Sequence, residues 1–434
     1  GISQFFSSAV SAPLILPASM TLLCALWGEE QKNRALYDSC HVAALGSAPY
    51  MVAVTPEGAC KQRTQRKYFY QDLTEKDISL RWQGPMLPLL LISSLVFSVL
   101  SSFGQNRPSE FLWCLSAILT AAVGCSYPLI YGRSFSVIAR RLKKGGMALA
   151  GYAGAQAISR SGRMIVTDSD LFPSGAVRMG GIRLFGEEIG KAASYASALA
   201  QAGGLPIARL FDELLEQGRP SSLPVEQLQF YEEGGLSAVI RGETVLLGSE
   251  SFLRKMKVHF PEISSGKTEL FLSIDRQLAA SFALKYLPSD NTDWALHAMK
   301  SNHITPVLAT RSPGITPALL NHRFGTTARA VYPPLAVRLA LSEETQTSDG
   351  RIGALLYREG LMPYAEVTVG GKRLAKAVHR GSMLAVFGSV VSCLLAFYLA
   401  FAGAYTVLTP VALSTYLFLW LIPTFILSGN VQHY

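Results

Sequence analysis

Five apolar runs, each long enough to cross a bilayer, constrain this chain more than any other feature. A helix needs about 20 apolar residues to span the hydrocarbon core, and residues 5–27, 85–103, 110–131, 381–402 and 405–427 meet that requirement. With no water in the bilayer core, such runs are expected as helices whose backbone groups bond internally. Charged residues make up 16% of the 434 and hydrophobic ones 49%, too apolar for an ordinary soluble enzyme. The net charge of +9 does not point to nucleic acid, because the Lys and Arg residues flank the apolar runs. The partner implied is a lipid bilayer, and the location a multi-pass position in the cell membrane.

The basic residues also orient the chain. Residues 133–163 carry seven Lys or Arg and no acid, and residues 27–84 and 372–380 are similarly rich. The connections at 104–109 and 403–404 hold a single Arg, Arg107. The positive-inside rule places the three basic segments in the cytoplasm and the two short turns outside. The chain starts with Gly and no basic stretch precedes Phe5, so the N-terminus reads as truncated rather than as a signal peptide. Six cysteines, among them Cys24, Cys114 and Cys393 within apolar runs, form no C-x-x-C pair, and no disulfide framework is expected.

The chemistry concentrates at residues 163–175, R-M-I-V-T-D-S-D-L-F-P-S-G. Four apolar or β-branched residues followed by Asp-x-Asp describe a strand ending in two carboxylates. One of the two can attack phosphorus, while Asp168 and Asp170 together can help hold Mg²⁺, which prefers oxygen ligands. Around this loop, residues 132–380 read as mixed α/β. Helices are expected at 190–202, 205–215 and 293–300. Strands are expected at 163–167, 304–309, 270–274 and 278–284, and a hairpin at 236–248 turns at Arg241-Gly242-Glu243. The fold class expected is an α-helical membrane domain plus a Rossmann-like α/β domain with an α+β insertion.

The aspartate loop resembles the phosphorylation loop of P-type ATPases, D-K-T-G-T-L-T, with Asp168 on the phosphorylated residue and the Lys, first Thr and Gly absent. The resemblance runs over about residues 110–428 and points to the heavy-metal-transporting branch, within the haloacid dehalogenase superfamily. Leu205-Pro206-Ile207-Ala208 stands at the place of H-P-I-A, with Leu205 replacing His. Glu233-Gly234-Gly235-Leu236 and Val245-Leu246-Leu247-Gly248 resemble the glycine-containing strands of the nucleotide domain, so Gly234, Gly235 and Gly248 are the implied cofactor-binding residues, with ATP and Mg²⁺ the implied cofactors. Thr310-Arg311-Ser312 falls where the family has T-G-D, which gives Thr310 an implied catalytic place. The implied domains are a first span at 1–27, a reduced segment at 28–84 in place of the actuator, and two spans at 85–140. A phosphorylation-type domain follows at 141–180 and 284–380, interrupted by a nucleotide-type insertion at 181–283, and two final spans occupy 381–428.

Several departures bear on function. The G-D-G-x-N-D loop is replaced by I-G-A-L-L-Y-R-E-G at 352–360, putting Arg358 near a metal-binding Asp, with Glu359 the only local acid. The T-G-E loop has only Thr55-Pro56-Glu57-Gly58, in which Pro cannot copy a glycine's backbone freedom, and Glu57 reads as a surface-turn acid. In the membrane, Pro128 lies in the 110–131 run and resembles the proline that family members hold between two cysteines. Here its neighbours are Tyr127 and Leu129, with Cys125 one turn away. Cys125, Tyr127 and Pro128 are the candidate transport path. Cys125 is alternatively a packing residue and Pro128 a simple kink.

Asp170 also has two readings, a general acid/base of the phosphatase type or a turn-forming residue. Three functions follow: a P-type ATPase-like protein degenerate in cation transport, regulatory or nucleotide-binding; a membrane-tethered phosphatase using Asp168 and Asp170; or an active cation pump.

Overall fold

The computed structural model describes residues 15–45, 50–62, 66–75, 78–124, 126–173, 175–215, 221–260, 269–325, 330–343, 352–404 and 407–433. Among the described residues, four stretches of helix are long and apolar enough to cross a membrane: Arg81–Ser102, Pro108–Lys144, Leu361–Phe401 and Pro410–Gln432. They leave Leu91, Ile92, Phe387, Tyr398, Phe418 and Ile426 exposed. An apolar surface of that extent suits acyl chains and not water. The protein therefore combines span-length apolar helices with mixed α/β sheet domains, as its sequence implies.

The first expected span, 5–27, falls partly outside the described residues. From Ile15 onward it opens helix α1, Ile15–Ala44, which continues well past Trp27 on Glu29–Lys32 and Glu30–Arg34 pairs. Residues 28–84 then contribute β1 (Tyr50–Thr55), β2 (Gly58–Gln62), α2 (Arg66–Leu73) and the start of α3 (Ile78–Ser102). The expected span at 110–131 is two helices, α4 (Phe111–Ala122) and α5 (Ser126–Lys144). Pro128 sits in the first turn of α5, where its missing N–H removes no helical bond. It starts a helix rather than kinking one. Helices α1 and α5 cross at Gly28 and Gly132, so closely that a Cβ on Gly132 would overlap the Gly28 carbonyl.

Among the described residues the body holds two six-stranded sheets. The first has the order β11-β4-β2-β1-β12-β3, where β3 is Met147–Leu149, β4 Arg163–Val166, β11 Thr305–Leu308 and β12 Ile352–Leu356. Strand β4 runs parallel to β11 and, through Ala59 opposite Met164, to β2. The β1–β2 hairpin thus belongs to the sheet that carries the aspartates. Its turn is Thr55–Gly58, with Glu57 exposed, in agreement with the surface-turn reading. Gly58 adopts φ +152° and lies so near Arg163 that a Cβ would sit 3.1 Å from its backbone; only glycine allows this approach.

The second sheet is antiparallel in the order β5-β10-β9-β8-β7-β6, with β5 at Val177–Leu184, β6 Glu226–Tyr231, β7 Gly235–Ile240, β8 Glu243–Gly248, β9 Glu269–Ile274 and β10 Gln277–Tyr286. It is inserted between α7 (Asp168–Leu171), which follows β4, and α11 (Asp290–Ser301). Helix α8 (Ile189–Ala202) buries Ala192, Ala196 and Leu199. The expected helix at 205–215 shortens to α9, Ala208–Asp212. After β12, α14 (Leu361–Phe401) runs unbroken from the body into the apolar zone, a rod of about 60 Å at 1.5 Å per residue. Helix α15 is Pro410–Gly429.

Candidate functional site

Because β4 and β11 are adjacent and parallel, the loops at their carboxyl ends lie side by side, the usual location of ligand sites in such sheets. One loop brings Asp168 and Asp170; the other brings Thr310, Arg311 and Ser312. Local chemistry fixes the first. Thr167 is the N-cap of α7 and Asp170 its third residue, and together they form a capping box. Asp170 Oδ2 accepts the Thr167 N–H at 3.1 Å and its hydroxyl at 3.0 Å.

Both aspartates are buried, Asp168 at 5% exposure and Asp170 at 1%. Asp168 Oδ2 accepts the Arg311 N–H at 2.8 Å and Oδ1 accepts the Ser312 N–H at 3.0 Å. Burial pushes the Asp168 carboxyl pKa above its ordinary value, and the amides of Arg311 and Ser312 pull the other way. Asp170 Oδ1 is ion-paired with Lys61 Nζ, from β2. The same ammonium lies 5.1 Å from the centre of the Tyr364 ring and 5.5 Å from that of Tyr50. Thr310 is fully buried, and its hydroxyl donates to the Ile315 carbonyl at 3.2 Å. Its carbonyl accepts from Arg338 at 3.3 Å, a residue of α13 (Leu335–Ser342).

Two of the cavities that Ser169 lines also reach an aspartate. One of about 450 Å³ is lined by Asp168, Leu205, Pro206 and Arg311 among others. The other, about 260 Å³, is lined by Lys61, Asp170, Arg209, Glu343 and Glu359. The Leu205-Pro206 segment thus faces the aspartates, and Arg311 Nε donates to Ser342 Oγ at 2.7 Å. Arg358 is exposed in the loop after β12.

The residues present do not fit Mg²⁺. Both Asp168 oxygens face amide N–H groups, and Asp170 faces an ammonium. Mg²⁺ demands near-octahedral oxygen coordination, and Lys61 supplies positive charge where those ligands would be needed.

Gly234, Gly235 and Gly248 lie together at the start of β7 and the end of β8, where Gly235 pairs with Gly248. A Cβ on Gly235 would overlap the Phe252 ring, and one on Gly248 would lie 2.6 Å from it. Gly235 and Gly248 give room to Phe252, Gly234 faces Pro313, and none of the three lines either aspartate cavity. In the apolar region, Cys125 lies outside the described residues. Tyr127 is buried, and the Pro128 carbonyl is packed against Gly28 of α1.

Sequence reasoning missed Lys61. The run Y-M-V-A-V-T, a Pro-Glu-Gly turn and A-C-K-Q together carry a hairpin signal, but nothing local reveals that β2 pairs with β4.

No family model matches the chain, and no curated protein matches it. Among solved structures, it is similar to a zinc-transporting PIB-type ATPase, at 12% identity over 89% of this chain and 87% of that one, with TM-score 0.43. A second structure of a zinc-transporting PIB-type ATPase, in a different state, gives 12% identity, 92% and 87% coverage, and TM-score 0.44. The catalytic domain of the CPx-ATPase CopB-B gives 14% identity over 45% and 69%, with TM-score 0.30.

Proposed function

We propose that this chain is a P-type ATPase-like protein of the membrane, related to heavy-metal cation pumps, whose phosphoryl chemistry is shut off and whose role is regulatory. Its α/β body sits on the cytoplasmic side, and the antiparallel insertion is the part that would meet a nucleotide. The observation carrying this reading is the state of Asp168. Each Asp168 oxygen accepts one amide N–H, from Arg311 or Ser312, which draws charge from the carboxylate that would attack phosphorus. Phosphoryl transfer also needs a metal to neutralise developing charge, and the donor set rejects Mg²⁺. The phosphatase alternative requires Asp170 to move a proton, but Lys61 and Thr167 hold both of its oxygens.

Incubation with radiolabelled ATP and Mg²⁺ followed by acid quench is the test. No hydroxylamine-sensitive label is expected on the wild type. A label that disappears in Asp168→Asn would overturn the proposal and restore the active pump.

A further inference from the structure

Where α14 leaves the body, a cavity of about 320 Å³ opens between its basic segment, the end of α11 and the end of α15. Lys372, Arg373, Lys376 and Arg380 line one wall, and His303, Asn430 and Leu427 contribute to the other. Two of the four cations are tied into the fold. Lys372 Nζ donates to the His303 carbonyl at 2.8 Å, and Arg373 donates to Asn302 Oδ1 at 2.6 Å, to the Asn430 carbonyl at 3.2 Å and to that of His433. Lys376 and Arg380 are exposed, and among the described residues neither forms an ion pair.

The same helix face changes character just beyond. Residues spaced three or four apart share one face of a helix, so Lys376, Arg380, Met383, Phe387 and Val390 form one stripe. Its first two members are cationic. Met383 is 58% exposed, Phe387 61% and Val390 41%. Ile426, next to the cavity residue Leu427, is 58% exposed. A basic cavity thus opens directly onto a lipid-facing apolar surface.

We propose that this cavity binds the phosphate headgroup of an anionic phospholipid, whose acyl chains lie along Met383, Phe387 and Val390. Basic pockets between spans on the cytoplasmic side suit anionic headgroups. The apolar continuation selects an amphipathic ligand over a free anion, since only a lipid fills both parts. This site is separate from the aspartate loop and stands whether or not that loop is active. Because α14 follows β12 after a short loop, a lipid held here bears on a helix that joins the apolar zone to the body.

The test uses the full chain in detergent, titrated with dioctanoyl phosphatidic acid, dioctanoyl phosphatidylcholine or inorganic phosphate while Tm is followed. Phosphatidic acid should raise Tm saturably, and the other two should not at matching concentrations. Lys376→Gln/Arg380→Gln should bind phosphatidic acid about 25-fold more weakly, about fivefold for each lost basic residue near a charged lipid surface. Arg140→Gln/Lys144→Gln removes the same charge from exposed positions of α5 outside the cavity and should bind as the wild type does. An equal loss in both variants would show diffuse attraction and overturn the site. An equal response to inorganic phosphate would overturn the lipid assignment, and no response to any probe would overturn both.

Discussion

Lys61 and Asp170, 109 positions apart in the chain, form a buried ion pair at the end of the central sheet. Lys61 is 12% exposed and Asp170 1% at the side chain. Taking such charges out of water costs several kcal/mol each, and each is tolerated only because of the other. This makes the segment before α3 part of the site and not an appendage to it.

The pair predicts a strong non-additivity. Lys61→Met leaves Asp170 charged and buried, a loss of about 3–5 kcal/mol for one partner of such a pair. Asp170→Asn keeps an oxygen for the Thr167 cap and strands Lys61 instead. The double variant should recover most of the loss in thermal or denaturant unfolding. Penalties that simply add would mean that the two groups do not interact.

Cys60, beside Lys61 on β2, should be chemically quiet. Burial, and secondarily the charge of Glu57, push its thiol up to about 11, and its Sγ faces the Ala53 carbonyl at 3.6 Å. The thiolate is the reactive form, so at pH 8 only about one thiol in a thousand is ionised. A variant retaining Cys60 alone should react with maleimide far more slowly than an unfolded control at pH 8. Its rate should rise about tenfold per pH unit towards pH 10. A rate already level at pH 8 would contradict the buried placement.

The crossing of α1 and α5 depends on two glycines. Since a Cβ on Gly132 would overlap the Gly28 carbonyl, Gly132→Ala must push the helices apart, a cost of about 1–3 kcal/mol for overpacking. Gly84, with nothing within 4 Å of its built Cβ, is the matched control, and Gly84→Ala should leave Tm unchanged or raise it. Equal Tm for the two variants would show that the crossing is looser than described.

Much of the architecture was legible because it is written locally. The hairpin Gly235–Ile240 and Glu243–Gly248 follows from alternation around Arg241-Gly242. The strand before Asp168 follows from four apolar or β-branched residues. The apolar runs declare themselves by length. The division of the 110–131 run was less legible, since a proline in the first turn and a proline at a kink look alike in sequence. The site was only half visible: Asp168 and Asp170 stand in one short motif, whereas Lys61 arrives through strand pairing that no local pattern encodes. The capping of Asp168 was invisible for a related reason. Backbone N–H groups do the work, and their side chains, Arg311 and Ser312, suggest only a lost motif.

The turn after α3 and the one after α14 meet at one end of the helices, where the Arg107 guanidinium would lie 3.3 Å from a Cβ on Gly403. The α/β body lies at the other end, reached through the basic stretches of α5 and α14. Lys and Arg are retained on the cytoplasmic side of short connections, so the two turns should face outward and the body inward. Single cysteines at Gln105 and Arg254, both exposed positions, test this in a background without native cysteines. In intact cells an impermeant thiol reagent should label the cysteine at 105 and spare the one at 254 until the membrane is permeabilised. Labelling of 254 alone would invert the chain. It would place the aspartates and the basic cavity where neither nucleotide nor inner-leaflet lipid reaches them.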